Sequence, residues 1–139
     1  MAVQFNEFIE HAERLLGGGE SSSELLEIDG RCAISRAYYA AFHCATGYAD
    51  VVADVPPSTM SGPTHKNLSD FFIQAKHDDA EVQRSWRRIG YRLHQFHAER
   101  CKADYRLHEM IATTDAKAHV SRCRTLLADI NTLGEIGVK

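Results

Sequence analysis

The sequence predicts an all-α fold, an up-and-down bundle of four to five helices in a single domain covering residues 1–139. Three observations carry this. Apolar residues recur at helical spacing through nearly the whole chain. No alternating β-branched run bounded by turns is present, so strand signals are absent. The clustered helix breakers fall between the periodic stretches: the run Gly17-Gly18-Gly19, and the segment VVADVPPSTMSGP, which holds all three prolines.

The first helix carries Phe5, Phe8, Ile9, Ala12, Leu15 and Leu16 on one face, and the glycine run ends it. In SSSELLEID, Ser22 or Ser23 can cap a turn or short helix. A second long helix is expected from about residue 30 to 49. Ile34, Tyr38, Ala41, Ala45 and Tyr48 form its stripe, flanked by Ala33, Ala37, Ala40 and Cys44, whose small side chains permit close helix approach. The proline segment is the one long loop. A third helix turns Leu68, Phe71, Phe72 and Ala75 inward. The fourth, from about residue 79 to 102, spaces Val82, Trp86, Ile89, Leu93 and Phe96 along one face. The fifth starts near Thr114 or Asp115 and aligns Ala116, Val120, Cys123, Leu127 and Ile130.

Composition bounds the function classes. With 139 residues, 44% of them hydrophobic, the chain can build one core. A formal charge of −3 creates no field that draws in nucleic acid, so any RNA contact must come from a local basic patch. No stretch approaches the ~20 apolar residues that cross a bilayer. The N-terminus, MAVQFNEFIEHAERLL, is acidic and amphipathic, unlike a secretory signal. Cys32, Cys44, Cys101 and Cys123 form no CxxC pair and read as free buried thiols in a reducing cytoplasm.

Two polar interruptions stand out. The fourth-helix stripe continues onto Arg100, above Leu93 and Phe96, where an arginine needs a partner or an outlet to solvent. Asp104 lies one turn on and can pair with it; snorkelling at a helix end is the plainer alternative. On the second helix, Arg36 and His43 are seven residues apart and so nearly aligned in azimuth. They form a narrow polar seam that faces water or lines a cleft against another subunit.

The stretch SRAYYAAFH, with His65-Lys66 and the R-x-x-A-D-Y run from Arg100 to Tyr105, resembles the HEPN superfamily, most closely its small stand-alone members. The resemblance extends from about residue 5 to 132. It implies a HEPN-like bundle that often dimerises. Many members are metal-independent ribonucleases or toxins, some paired with a nucleotidyltransferase antitoxin; others are binding or scaffold modules without nuclease activity. Nuclease members carry an R-x(4–6)-H motif, and two copies meet across a dimer cleft. The chemistry suits these groups: an imidazole can take the 2′-hydroxyl proton, and an arginine can stabilise charge on the transition state.

This chain departs from that pattern at Tyr105, which stands at the motif histidine; a phenol with an ordinary pKa of ~10 is a poor base at neutral pH. Arg36 to His43 fits R-x6-H, and Arg92 to His97 fits R-x4-H with Arg92 turned from the core stripe. The resemblance therefore implies a homodimeric ribonuclease or toxin component of a toxin–antitoxin or defence system. In it Arg36, His43 and Arg100 face the cleft, Asp104 orients Arg100, Tyr105 lies near the scissile phosphate, and His65 closes the site beside Lys66. The alternative is a non-catalytic module binding a nucleotidyltransferase partner, RNA or a nucleotide through the same residues. A third is a helical dimer in which Arg36 and Arg100 make only structural ion pairs.

Other groups weigh less. Arg84, Arg88 and Arg92 form an i, i+4, i+8 row that is either a solvated face or a track for a phosphate backbone. Tyr39 can stack on a base, whereas Tyr38 belongs to the core stripe. His94, His97 and Cys101 have spacing compatible with zinc, with His108 or His43 as a further ligand. No HExxH or CxxC supports them, and neither a metal nor a cofactor is assigned.

Overall fold

The computed structural model of the chain describes residues 3–17 and 25–136. Among them are five α-helices and no strand: α1 (Phe5–Leu15), α2 (Glu27–Val52), α3 (Thr64–Gln74), α4 (Ala80–Tyr105) and α5 (Thr113–Ile136), with a 3-10 turn at Pro57–Thr59 before α3. The all-α, up-and-down bundle expected from the periodicity is what forms.

The helix ends show which local signals operate. Gly17 adopts φ 94°, the left-handed conformation in which only glycine is comfortable, and α1 stops there. Gly18, Gly19, Ser22 and Ser23 lie outside the described residues. Helix α2 begins at Glu27, earlier than its apolar stripe suggests, with Glu27 and Asp29 in the first turn where carboxylates complement the helix dipole. Asp79 caps α4, its Oδ1 accepting from the backbone N–H of Glu81 at 2.8 Å and of Val82 at 3.3 Å.

Helix α2 is the hub, packed on α1, α4 and α5 and touching α3. Its buried residues surround most of its circumference. Ala33, Ala37, Ala40, Ala41, Ala45 and Ala49 are fully buried, so neighbours approach closely from several sides without loss of helix propensity. The predicted stripes of α4 and α5 are all buried. Two expectations need correction. Phe5, the first residue of α1, is 40% exposed. The four thiols are not all buried: Cys44 and Cys123 are, but Cys32 is exposed and Cys101 half-buried, on the sides of α2 and α4 that turn away from the core centre.

Arg31 is buried at the N-terminal end of α2. Its Nη1 donates to the carbonyls of Ala103 at 3.0 Å, Lys102 at 3.3 Å and Arg106 at 3.3 Å. Its Nη2 donates to the Glu109 carbonyl and, at 2.8 Å, to Glu27 Oε2. The last carbonyls of a helix have no partners within it. Here one guanidinium from another helix meets the Ala103 carbonyl, adds to the Lys102 and Arg106 carbonyls, which also accept from the Arg106 and Glu109 N–H groups, and fixes the end of α4 onto α2. A second polar brace is His119 of α5, whose Nδ1 is 2.6 Å from Glu99 Oε1 and whose Nε2 is 3.1 Å from the Ile34 carbonyl.

Helices α3 and α4 meet at Gly90. A Cβ there would lie 2.6 Å from Ile73 Cγ1, 3.0 Å from Phe72 Cβ and 3.0 Å from the Ser69 carbonyl oxygen. Gly90→Ala should therefore destabilise the fold. Overpacking of ~1–3 kcal/mol outweighs the ~1 kcal/mol gain in helix propensity. Urea denaturation should show a lower midpoint; a midpoint equal to or above that of the unaltered chain would contradict the close approach.

Candidate functional site

The polar residues of α2 and α4 meet around the ring of Tyr39. Arg100 Cζ lies 5.1 Å from the Tyr39 ring centroid and 5.4 Å from that of Tyr105, within cation–π range. On the α2 side, the exposed His43 ring stacks on Tyr39 with centroids 6.1 Å apart and planes at 29°. His43 also touches Phe42 at 5.3 Å and Phe8 of α1 at 5.7 Å. The cation of α4 and the imidazole of α2 thus share one neighbour, because Tyr39 sits one turn before His43 on the side of α2 that faces α4.

Arg100 is only 13% exposed at its side chain, and its Nε lies 2.8 Å from Asp104 Oδ2. The N–H does not point along that line, so the contact is an ion pair and Nε makes no hydrogen bond. Asp104 also accepts from Ser35 Oγ at 3.3 Å, which ties the pair to α2. Burial opposes the Arg100 charge. The Tyr39, Asp104 and Tyr105 groups around it more than compensate, and the guanidinium pKa moves up. Snorkelling therefore does not describe Arg100: a carboxylate and two aromatic faces hold it.

A histidine pair adjoins this cluster. His65, in the first turn of α3, stacks on His97 of α4 with centroids 4.5 Å apart and planes at 27°. His65 also meets the Tyr39 ring edge at 6.4 Å. Tyr38, on the core stripe, reaches His65 Nδ1 with its hydroxyl at 2.6 Å. Burial lifts the Tyr38 phenol far above its ordinary range, so it keeps its proton. The Tyr38 contact engages Nδ1 and leaves Nε2 as the other ring nitrogen of His65. Both imidazoles are held below their ordinary pKa of 6.5. For His65 the causes are burial, then the neighbouring His97 and Arg100; for His97 they are burial, then Arg100 and His94. His97 Nδ1 is sealed from solvent without a hydrogen-bond partner, and its Nε2 lies 3.6 Å from Cys101 Sγ.

Tyr39, His43, His65, His97, Arg100, Asp104 and Tyr105 are thus linked by contacts. Arg36 is exposed on the same side of α2 and has no ion pair among the described residues. Lys66 turns to Asp70 at 2.6 Å. The arginine row goes elsewhere. Arg92 pairs with Asp129 of α5 at 2.8 Å, Arg84 pairs with Glu81, and Arg88 lines a small cavity with Asp129. Arg92 thus meets α5, whereas His97 meets α3. A groove of about 580 Å³ between α1, α2 and α5 lies apart from all these groups. Among the described residues, no group of three or more His, Cys, Asp or Glu side chains could hold a metal ion.

Sequence reading missed three supporting groups. Arg31 opens the same stretch as Arg36, and its only signal was Glu27 one turn earlier. His119 falls between Ala116 and Cys123 on the buried stripe of α5, so its position was legible although its role was not. Ser35 carried no signal. No family model, curated protein or solved structure matches the chain.

The depressed histidines give a titration prediction. The stability they contribute is present above pH 6.5, their ordinary value, and is lost as pH falls through their lower folded values. NMR titration should place both rings below 6.5. Arg100→Gln, which removes a positive neighbour and leaves burial in place, should move both upward. Ordinary titration of both rings in the unaltered chain would contradict the arrangement.

Proposed function

We propose that this chain is a HEPN-like, metal-independent endoribonuclease of the cytoplasm. It acts as a homodimer and as the toxin component of a toxin–antitoxin or defence system, with a nucleotidyltransferase as antitoxin. The observation that supports this best is the meeting of Arg100 and His43 on the single ring of Tyr39, at 5.1 Å and 6.1 Å. A cation and an imidazole gathered about one ring are the two kinds of group that RNA cleavage by the 2′-hydroxyl uses. The His43 imidazole takes the 2′-hydroxyl proton, and the 2′-oxygen attacks phosphorus. Arg100 stabilises the charge on the phosphorane oxygens, with the exposed Tyr105 hydroxyl as a further donor. The bond to the 5′-oxygen breaks, and that oxygen takes its proton from the imidazolium of the same histidine in the second copy. Arg36, exposed on the same side of α2, contacts the neighbouring phosphate.

A second reading is favoured by Tyr105, a phenol at the position of the motif histidine: a binding module that holds RNA, a nucleotide or a nucleotidyltransferase partner on the same face without cutting. Incubation of the purified chain with single-stranded RNA in a chelator separates the two. Cleavage that falls at least ~100-fold in His43→Ala and in Arg100→Ala is the expected result, from the usual contribution of one acid–base or oxyanion group. RNA retained intact by the unaltered chain, or equal background in chain and variants, removes the nuclease reading; retention of RNA on the chain without cleavage favours the module.

A further inference from the structure

A cavity between α3 and α4 borders the polar face and belongs to neither proposed step. It holds about 280 Å³, and its walls include His65, Lys66, Asp70, Ile73, His94 and His97. That volume is just below the ~300 Å³ at which small-molecule pockets begin, a size suited to one base rather than a longer ligand. Ile73 supplies an apolar wall, and the His65 and His97 imidazoles, stacked on each other, line another. Single-stranded RNA is commonly read by aromatic or imidazole planes together with hydrogen bonds to the base edge.

The polar groups on the wall are of two kinds. The Tyr38 hydroxyl engages His65 Nδ1 at 2.6 Å, which leaves Nε2 as the ring nitrogen available to a ligand. Lys66 adds an ammonium donor and holds Asp70 Oδ2 at 2.6 Å, which keeps the carboxylate in place and leaves acceptor capacity on it. His97 Nδ1 is sealed and unpartnered in the absence of a ligand.

We propose that this cavity is a nucleobase pocket that selects guanine, with Asp70 accepting from the guanine N1–H and N2–H and with Lys66 and the His65 Nε2–H donating to O6. Guanine alone among the four bases sets two adjacent donors beside a carbonyl acceptor on its Watson–Crick edge. Adenine and cytosine would turn a ring-nitrogen lone pair toward the carboxylate, and uracil offers a single N–H between two carbonyls. The pocket rests on the RNA-facing reading above and deepens it: the chain would engage single-stranded RNA with a guanine seated beside the scissile phosphate.

The test is isothermal titration of 5′-GMP, AMP, CMP and UMP into the full chain at pH 7.5. It is repeated with Asp70→Asn and with His94→Trp, whose indole fills the mouth, and circular dichroism confirms that both variants fold. Expected are at least tenfold tighter binding of GMP than of AMP, loss of that preference in Asp70→Asn, and weaker binding of all four nucleotides in His94→Trp. Equal affinities for the four nucleotides, no saturable binding, or an unchanged preference in Asp70→Asn overturns the pocket. Cleavage of mixed-sequence RNA, run in parallel, keeps the two readings apart. Guanine-selective binding without cleavage removes the nuclease and leaves the pocket. Cleavage indifferent to guanine, with no nucleotide bound, removes the pocket and leaves the nuclease.

Discussion

One buried guanidinium holds the polar face together. Arg31 rises from the start of α2 into the end of α4 and donates to the Lys102, Ala103 and Arg106 carbonyls and to the Glu109 carbonyl in the following loop. A buried arginine is costly unless every donor is used, and helix-end carbonyls are costly unless something meets them. The carbonyls give the guanidinium its acceptors, and it gives the Ala103 carbonyl a donor. Glu27 completes the set from one turn earlier on α2, and its carboxyl is held below the usual range first by its hydrogen bond from Arg31. The consequence is geometric: the last turns of α4 cannot rotate away, so Arg100, Asp104 and Tyr105 stay turned toward α2.

The face has a wet side and a dry side. On the wet side, Arg36 and His43 are exposed along α2, and Tyr105 is 69% exposed at the end of α4. On the dry side, Arg100, His65 and His97 are partly enclosed, and burial with the nearby Arg100 charge holds both imidazoles below their ordinary pKa. Tyr39 is the partition between them. Behind it, Glu99 links α4 to α5. Burial alone would raise its carboxyl, but the His119 hydrogen bond and the charges of His119 and Arg122 outweigh this and hold it low. Its stability contribution is therefore present above the ordinary 4.5 and lost as pH falls below it.

Much of the fold was legible because helical periodicity is a strong signal and this chain has little else. The stripe from Val82 to Phe96 and that from Ala116 to Ile130 could be read position by position. The start of α2 was not legible, since its first turn is acidic and carries no apolar stripe. For the site, the alignment of Arg36 with His43 and the pairing of Arg100 with Asp104 followed from spacing within single helices. What spacing within one helix cannot show is which neighbour a side chain meets. It could not reveal that Arg92 turns to Asp129, that Tyr38 reaches His65 across the bundle, or that Arg31 serves α4 as well as its own helix.

Amide hydrogen exchange on Arg31→Met tests the dependence of the polar face on its clamp most directly. The account predicts a selective increase in exchange, tenfold or more, across residues 100–111, together with loss of the Arg100 contact to Tyr39 in NMR spectra, while α1 and the middle of α5 keep their protection. Unchanged exchange across residues 100–111, with the Arg100–Tyr39 contact intact, would show that α4 docks on α2 without the buried guanidinium and would contradict the account.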